Sequence, residues 1–140
     1  MKILLPVDGS EHTQRMLGYV AAHDEMFGPN HDYLALTAVT PLPRDVARHL
    51  DKGTLDDYYR EQAQMVLRPV TAFAERHDWK LRASHVIGVP AKVIVDTAAS
   101  EASDLIVMGS HGHGALSGLF VGSVTSNVLA NCKTPVLVIR

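Results

Sequence analysis

Cysteine is almost absent from this sequence of 140 residues, which contains only Cys132. A single thiol cannot form a disulfide within the chain, and this excludes the disulfide frameworks of small secreted domains. Long hydrophobic runs are also missing, since no apolar stretch approaches the roughly 20 residues that cross a bilayer. The apolar run Ile3 to Val7 is too short for a signal peptide. We therefore expect a cytoplasmic protein with no membrane partner.

The sequence lacks a large excess of charge of either sign. Its formal net charge is -2 with histidine neutral, too small to create the positive field with which proteins bind nucleic acid. We therefore expect no nucleic-acid partner. The length suits one hydrophobic core, and the hydrophobic share of 46% is typical of a globular protein. These features predict a single domain over residues 1–140.

Five short apolar runs, rich in β-branched residues, alternate with longer helical patterns, as expected for strands buried on both faces of a parallel sheet. Ser10 is a good N-cap for the first helix, and Pro90 suits the first position of another. The alternation predicts an α/β fold, a Rossmann-like open doubly wound parallel sheet with helices on both faces. The predicted strands are Ile3 to Val7, Tyr33 to Val39, Leu81 to Val86, Leu105 to Met108 and Val136 to Ile139.

Sheets of this kind bind ligands outside the carboxyl ends of their strands. The first predicted strand delivers Asp8 to that edge, and the fourth leads into a loop with five glycines between Gly109 and Gly122. Glycine permits unusual backbone angles and the close approach of a ligand. Gly122 and Ser123 then begin the last helix, whose first amides have no partner within the helix and favour an anion. We predict a phosphate site there, with hydroxyl donors from Ser123 and Thr125.

The spacing of Gly109, Gly112 and Gly122-Ser123 resembles the ATP-binding signature of the universal stress protein family, in which two and nine residues separate the glycines. The resemblance extends over nearly the whole chain. It implies the strand order 3-2-1-4-5, a nucleotide lying between strands 1 and 4, and a homodimer paired through Val136 to Ile139. It also implies that the nucleotide contacts Pro6, Val7, Asp8, Val39, Met108, Gly109, Gly112, Gly122, Ser123, Val124 and Thr125.

The chain departs from this family at His113, where many ATP-binding members have Arg or Lys. The loop contains no Lys or Arg between Gly109 and Thr125, so either AMP or weakly held ATP remains a candidate ligand. If ATP enters with Mg²⁺, we expect mainly the phosphates to coordinate the ion, with water and Asp8 as further candidate ligands. His111 and His113 lack the neighbours of a protein metal site, and we expect them to contact solvent or phosphate.

Three functions stay open at this level. The leading one is an adenine-nucleotide-binding protein of the stress response, a regulatory homodimer with little or no turnover and no assigned catalytic residue. An alternative is a slow ATPase or phosphotransferase in which Asp8 positions water. The other alternative is a nucleotide-free dimer that acts as an interaction module.

Overall fold

The computed structural model describes residues 1–111 and 121–140. Within these residues, five strands alternate with six helices. In chain order they are β1 (Lys2–Pro6), α1 (Glu11–Ala22), α2 (Asp24–Phe27), β2 (Asp32–Val39), α3 (Arg44–Ala47), α4 (Lys52–Arg76), β3 (Lys80–Ile87), α5 (Pro90–Ser100), β4 (Leu105–Gly109), α6 (Ser123–Asn131) and β5 (Val136–Ile139).

The five strands form one parallel sheet in the order β3-β2-β1-β4-β5, which confirms the predicted topology. Helices α1 and α4 pack on one face of the sheet, around a core that includes Met16 and Leu67. Helices α5 and α6 pack on the other face, around a second core that includes Ile94 and Val128. The strand order reverses between β1 and β4, and this is where an open doubly wound sheet forms a crevice.

Local capping explains where several helices begin. The hydroxyl of Ser10 accepts a hydrogen bond from the Thr13 amide at 3.5 Å, and Pro90 occupies the first position of α5, both as predicted. Helix α1 ends at Ala22 and is followed by the separate short helix α2. The break lies at His23, whose φ of -116° and ψ of 58° are not helical and whose Nδ1 lies 2.8 Å from the Tyr19 carbonyl.

Strand β3 is an exception to the expectation that every strand is buried on both faces. It lies at an edge of the sheet, and Val86 and Ile87 are 40% and 43% exposed, whereas Leu4, Leu5 and Ile106 in β1 and β4 are fully buried. An edge strand has a neighbour on one side only, so an apolar run does not guarantee burial. Among the described residues, no helix is long and apolar enough to cross a membrane.

Candidate functional site

A cleft of about 930 Å³ opens at the carboxyl edge of the sheet. The ends of β1, β2 and β4 form its floor, and parts of α4, α5 and α6 form its walls. It contains every predicted site residue that the structure describes, whereas Gly112 and His113 lie outside the described residues. The predicted residues lining the cleft are Pro6, Val7, Asp8, Val39, Met108, Gly109, His111, Gly122, Ser123, Val124 and Thr125.

Asp8 is held at the turn between β1 and α1. Its Oδ1 accepts hydrogen bonds from the Ser10 amide and from the Thr13 hydroxyl, both at 2.9 Å, and its own amide donates to that hydroxyl at 3.1 Å. Gly9 makes the turn possible because its φ is +77°, a conformation that residues with a Cβ rarely adopt. The carboxylate of Asp8 therefore has a structural role in this turn, and it also faces the cleft.

The start of α6 also lines the cleft. Its N-cap is Gly122, which has no side chain to cap the helix. The Gly122 amide donates to the Ser110 carbonyl at 2.7 Å, so the expectation that unpaired amides begin at Gly122 is wrong. The available groups begin one residue later. Nothing in residues 1–111 and 121–140 accepts a hydrogen bond from the amides of Ser123 and Val124, which face a cleft suited to an anion.

Thr125 has a different role from the predicted one. Its side chain is buried, and its hydroxyl donates to the Gly109 carbonyl at 2.9 Å. This bond connects the first turn of α6 to the end of β4. The hydroxyl proton is therefore used within the protein, and of the two predicted hydroxyl donors only the exposed Ser123 remains available to a ligand.

The absence of side chains at Gly109 and Gly122 allows parts of the chain to pack closely. A Cβ on Gly109 would lie 2.9 Å from the Cβ of His12, because α1 passes directly over the end of β4. A Cβ on Gly122 would lie 3.2 Å from both the Cα of His111 and the Ser110 carbonyl oxygen. A side chain at Gly109 would thus force its neighbours to move, and one at Gly122 would be crowded, a packing role that the loop pattern alone did not predict.

His111 lines the cleft beside the start of α6. Its Nδ1 lies 3.0 Å from the Ser110 hydroxyl, and its ring centroid is 5.2 Å from that of His12. The Nδ1 of His12 is buried, and no described residue forms a hydrogen bond with it. In the described ranges, no three His, Cys, Asp or Glu side chains are grouped so that they could hold a metal ion.

Sequence reasoning missed the outer walls of the cleft. Helix α4 contributes Tyr58, Gln62 and Val66, and α5 contributes Pro90 and Ile94. Pro90 signalled only a helix start, and the others carry no local signal, because only the packing of each crossover helix on the sheet brings these residues to the edge. The end of β2 also lines the cleft, at positions that the rule for strand ends could have indicated: Leu36, Thr37, Ala38 and Thr40.

The family model described as the universal stress protein family matches residues 1–140. The chain belongs to this family. Relatives include a universal stress protein of Thermus aquaticus, 34% identical over 99% of this chain and 97% of that protein. Another is the universal stress protein MJ0577 of Methanocaldococcus jannaschii, 30% identical over 99% of this chain and 94% of its own length. The solved MJ0577 structure superposes with a TM-score of 0.78 over the same shares of the two chains.

Two more distant family structures contain nucleotides. A protein of Arabidopsis thaliana was solved with AMP bound; it is 15% identical, covers 99% of this chain and 90% of its own, and has a TM-score of 0.72. A protein of Archaeoglobus fulgidus was solved in complex with dAMP; it is 18% identical, covers 100% of this chain and 98% of its own, and has a TM-score of 0.72. At these identities, the likeness shows the shared fold.

Proposed function

We propose that this chain is a cytoplasmic adenine-nucleotide-binding protein of the stress response, acting as a regulatory homodimer with little or no turnover. One observation carries the proposal: a single cleft joins an apolar floor, the carboxylate of Asp8 and the uncapped start of α6. A nucleotide has a matching arrangement, with a flat apolar base, a ribose with hydroxyl groups and an anionic phosphate.

Different groups in the lining of the cleft suit different parts of such a ligand. Val39, Met108 and Ile94 offer apolar contacts for the base. The amides of Ser123 and Val124 and the dipole of α6 favour the phosphate. The AMP and dAMP found with the Arabidopsis and Archaeoglobus proteins support extending an adenine ligand to this chain.

The side chains around the cleft favour binding over hydrolysis. Among the described lining residues, the ionisable ones are Asp8, Tyr58 and His111, and none is a Lys or Arg that could neutralise a triphosphate. The Oδ1 of Asp8 already accepts two hydrogen bonds that hold the β1–α1 turn. This supports a nucleotide sensor and a preference for AMP over ATP, and it gives little support to a slow ATPase.

The proposed dimer pairs two copies through β5. This strand bonds to β4 on one side and forms an edge of the sheet on the other. Val136, Leu137 and Val138 are only half-buried, as expected for apolar residues that a second copy would cover. Sedimentation of the wild type and of Leu137→Lys at micromolar concentration tests the pairing: we expect a dimer and a monomer, respectively.

Ser123→Glu tests the nucleotide site. A carboxylate at the first residue of α6 suits the helix dipole, so we expect the fold to keep its stability. The same carboxylate would repel phosphate, and we expect AMP affinity to fall about tenfold or more, since removal of a charge-assisted contact costs on the order of 1.5–3 kcal/mol. Titration calorimetry with AMP and with adenosine measures this effect, and adenosine should bind both forms equally.

Asn127→Glu is the matched control for that substitution. It adds the same charge to the same helix at an exposed position that does not line the cleft. We expect its AMP affinity to remain near that of the wild type. Equal losses in both variants would show that the amides at the start of α6 do not receive the phosphate, and no heat with AMP, ATP or adenosine on the wild type would refute the nucleotide site altogether.

A further inference from the structure

The proposed phosphate site, beside the start of α6, has a histidine where an anion site usually has a permanent cation. His111 is the described lining residue that can become positively charged. Residues 112–120 add one further ionisable side chain in the sequence, His113. Histidine is the side chain whose charge ordinarily changes between pH 5 and 8. The positive charge available to an anion here therefore depends on the solution pH.

Ser110 positions the ring of His111 beside the start of α6. The Nδ1 of His111 lies 3.0 Å from the hydroxyl of Ser110, which can accept a hydrogen bond from Nδ1–H and leave Nε2 for another partner. Ser110 is itself buried, and its amide donates to the Ile139 carbonyl at 2.8 Å. The ring of His111 is thereby oriented by a residue anchored in the sheet, and its Cδ2 lies 3.6 Å from the position of a Cβ on Gly122, at the start of α6.

His12 stands beside this ring on α1. The two centroids are 5.2 Å apart, with an angle of 41° between the ring planes. Of the two rings, that of His111 belongs to the cleft lining and has the Ser110 hydroxyl 3.0 Å from its Nδ1, whereas the Nδ1 of His12 is buried without a described partner.

None of the described residues that line the cleft beside His12 and His111 is a Lys or Arg. Asp8 at the end of β1 lines the same cleft with a carboxylate. Glu11 and Arg15 on α1 form an exposed ion pair with each other. Arg140 follows the end of β5 and is exposed, and α6 has no ionisable side chain. If His111 is neutral, a bound phosphate has no positively charged side chain among the described lining residues, and the carboxylate of Asp8 lines the same cleft.

We infer that His111, oriented by Ser110 and flanked by His12, is the cationic contact for the phosphate, and that ligand binding is coupled to uptake of a proton by this residue. The inference rests on the proposed nucleotide site and adds its regulation by pH. A single imidazolium matches one phosphate group, so the favoured ligand is an adenine nucleotide with one phosphate. Acidification increases the occupancy of the site at a given concentration of that ligand.

Cyclic AMP is the best probe, because its phosphodiester keeps one negative charge across the tested pH range. Calorimetry on the full chain at pH 6 and pH 8, at equal ionic strength, should give binding about five- to tenfold tighter at pH 6, as expected when a neutral hydrogen bond becomes a charged one. Adenosine should bind equally at both pH values. Titrations at pH 7 in buffers of different ionisation enthalpy should show proton uptake with cyclic AMP.

Three variants locate the effect. His111→Asn should remove both the pH dependence and the proton uptake, and His111→Lys should bind cyclic AMP tightly at both pH values. His49→Asn, an exposed residue beyond α3, should behave as the wild type does. If circular dichroism shows that His111→Asn does not fold, the pH dependence and proton uptake of His111→Lys carry the test.

Two results would overturn this inference while leaving the nucleotide site intact. One is equal affinity of the wild type for cyclic AMP at pH 6 and pH 8. The other is a proton uptake that persists in a folded His111→Asn or His111→Lys variant. Absence of binding by adenosine and by cyclic AMP at every pH would instead contradict the proposed function itself.

Discussion

The two edges of the sheet each carry a depression, and the edge with more charge is the poorer candidate site. At the amino edge, a depression of about 480 Å³ is lined by charged side chains that include Lys80, Asp32, Arg82 and Glu101. These pair with one another: Lys80 lies 3.6 Å from Asp32, and Arg82 lies 2.8 Å from Glu101. The carboxyl-edge cleft has fewer charges but offers hydrogen-bond donors that no described residue uses.

The two edges differ in whether their polar groups already have partners within the protein. The direction of the chain explains why the two edges differ. In a parallel sheet with crossover helices, helix starts lie near the carboxyl ends of the strands, and their first amides lack partners. At the amino edge, acidic and basic side chains from separate elements satisfy each other. Three substitutions test this distinction.

Gly109→Ala at the carboxyl edge should have the largest effect. The new Cβ would lie 2.9 Å from the Cβ of His12, so either α1 or the end of β4 must move. We expect a loss of about 1–3 kcal/mol in the free energy of unfolding, as in other overpacked cores, together with a loss of AMP binding. Urea denaturation and calorimetry measure the two effects.

Gly18→Ala is the matched control for that change. Gly18 is exposed within α1, and nothing lies within 4 Å of the position of its added Cβ. Because alanine favours a helix interior, we expect this variant to gain about 0.5–1 kcal/mol and to keep its AMP affinity. A stable Gly109→Ala variant with normal binding would show that the contact between α1 and β4 does not shape the cleft.

Tyr33→Phe at the amino edge should have an intermediate effect. The hydroxyl of Tyr33 donates to the carbonyl of Phe27 and lies 3.0 Å from that of Gly28. Burial, assisted by the negative charge of Asp24, raises the pKa of Tyr33 to about 12 from its ordinary value of 10.0. The unfolded chain therefore loses the tyrosine proton first, and the wild type should lose stability as the pH rises from about 10 to about 12.

In the Tyr33→Phe variant this alkaline loss should shrink, while stability at pH 7 falls by about 1 kcal/mol through the lost hydrogen bond. Denaturation in urea at pH 7 and at several values above pH 10 measures both changes. Tyr58→Phe, in the cleft wall, serves as a control that retains Tyr33. If the alkaline loss is the same with and without Tyr33, burial of this hydroxyl is not its cause.

Arg82→Ala should have the smallest effect. The ion pair of Arg82 with Glu101 is exposed, with side-chain exposures of 70% and 40%, and pairs of this kind contribute about 0–1 kcal/mol. We expect a change of at most about 0.5 kcal/mol and an unaltered affinity for AMP. A clear fall in AMP affinity would assign ligand binding to the amino edge and reverse the comparison.

The sequence by itself determined the features that depend on local rules. Apolar runs, the Ser10 cap and Pro90 marked the strands and helix starts, and the spacing from Gly109 to Gly122 marked the candidate site and the family. These signals are readable because periodicity, capping and backbone freedom depend on residues close together in the chain.

Only the tertiary structure decided which groups meet across the sheet. It brought His12 beside His111, placed Tyr58 and Gln62 in the cleft wall, and engaged the Gly122 amide with the Ser110 carbonyl. It also left β3 partly exposed at an edge. Such neighbours are distant along the chain, and their contacts depend on how each crossover helix packs against the sheet, which a local pattern does not specify.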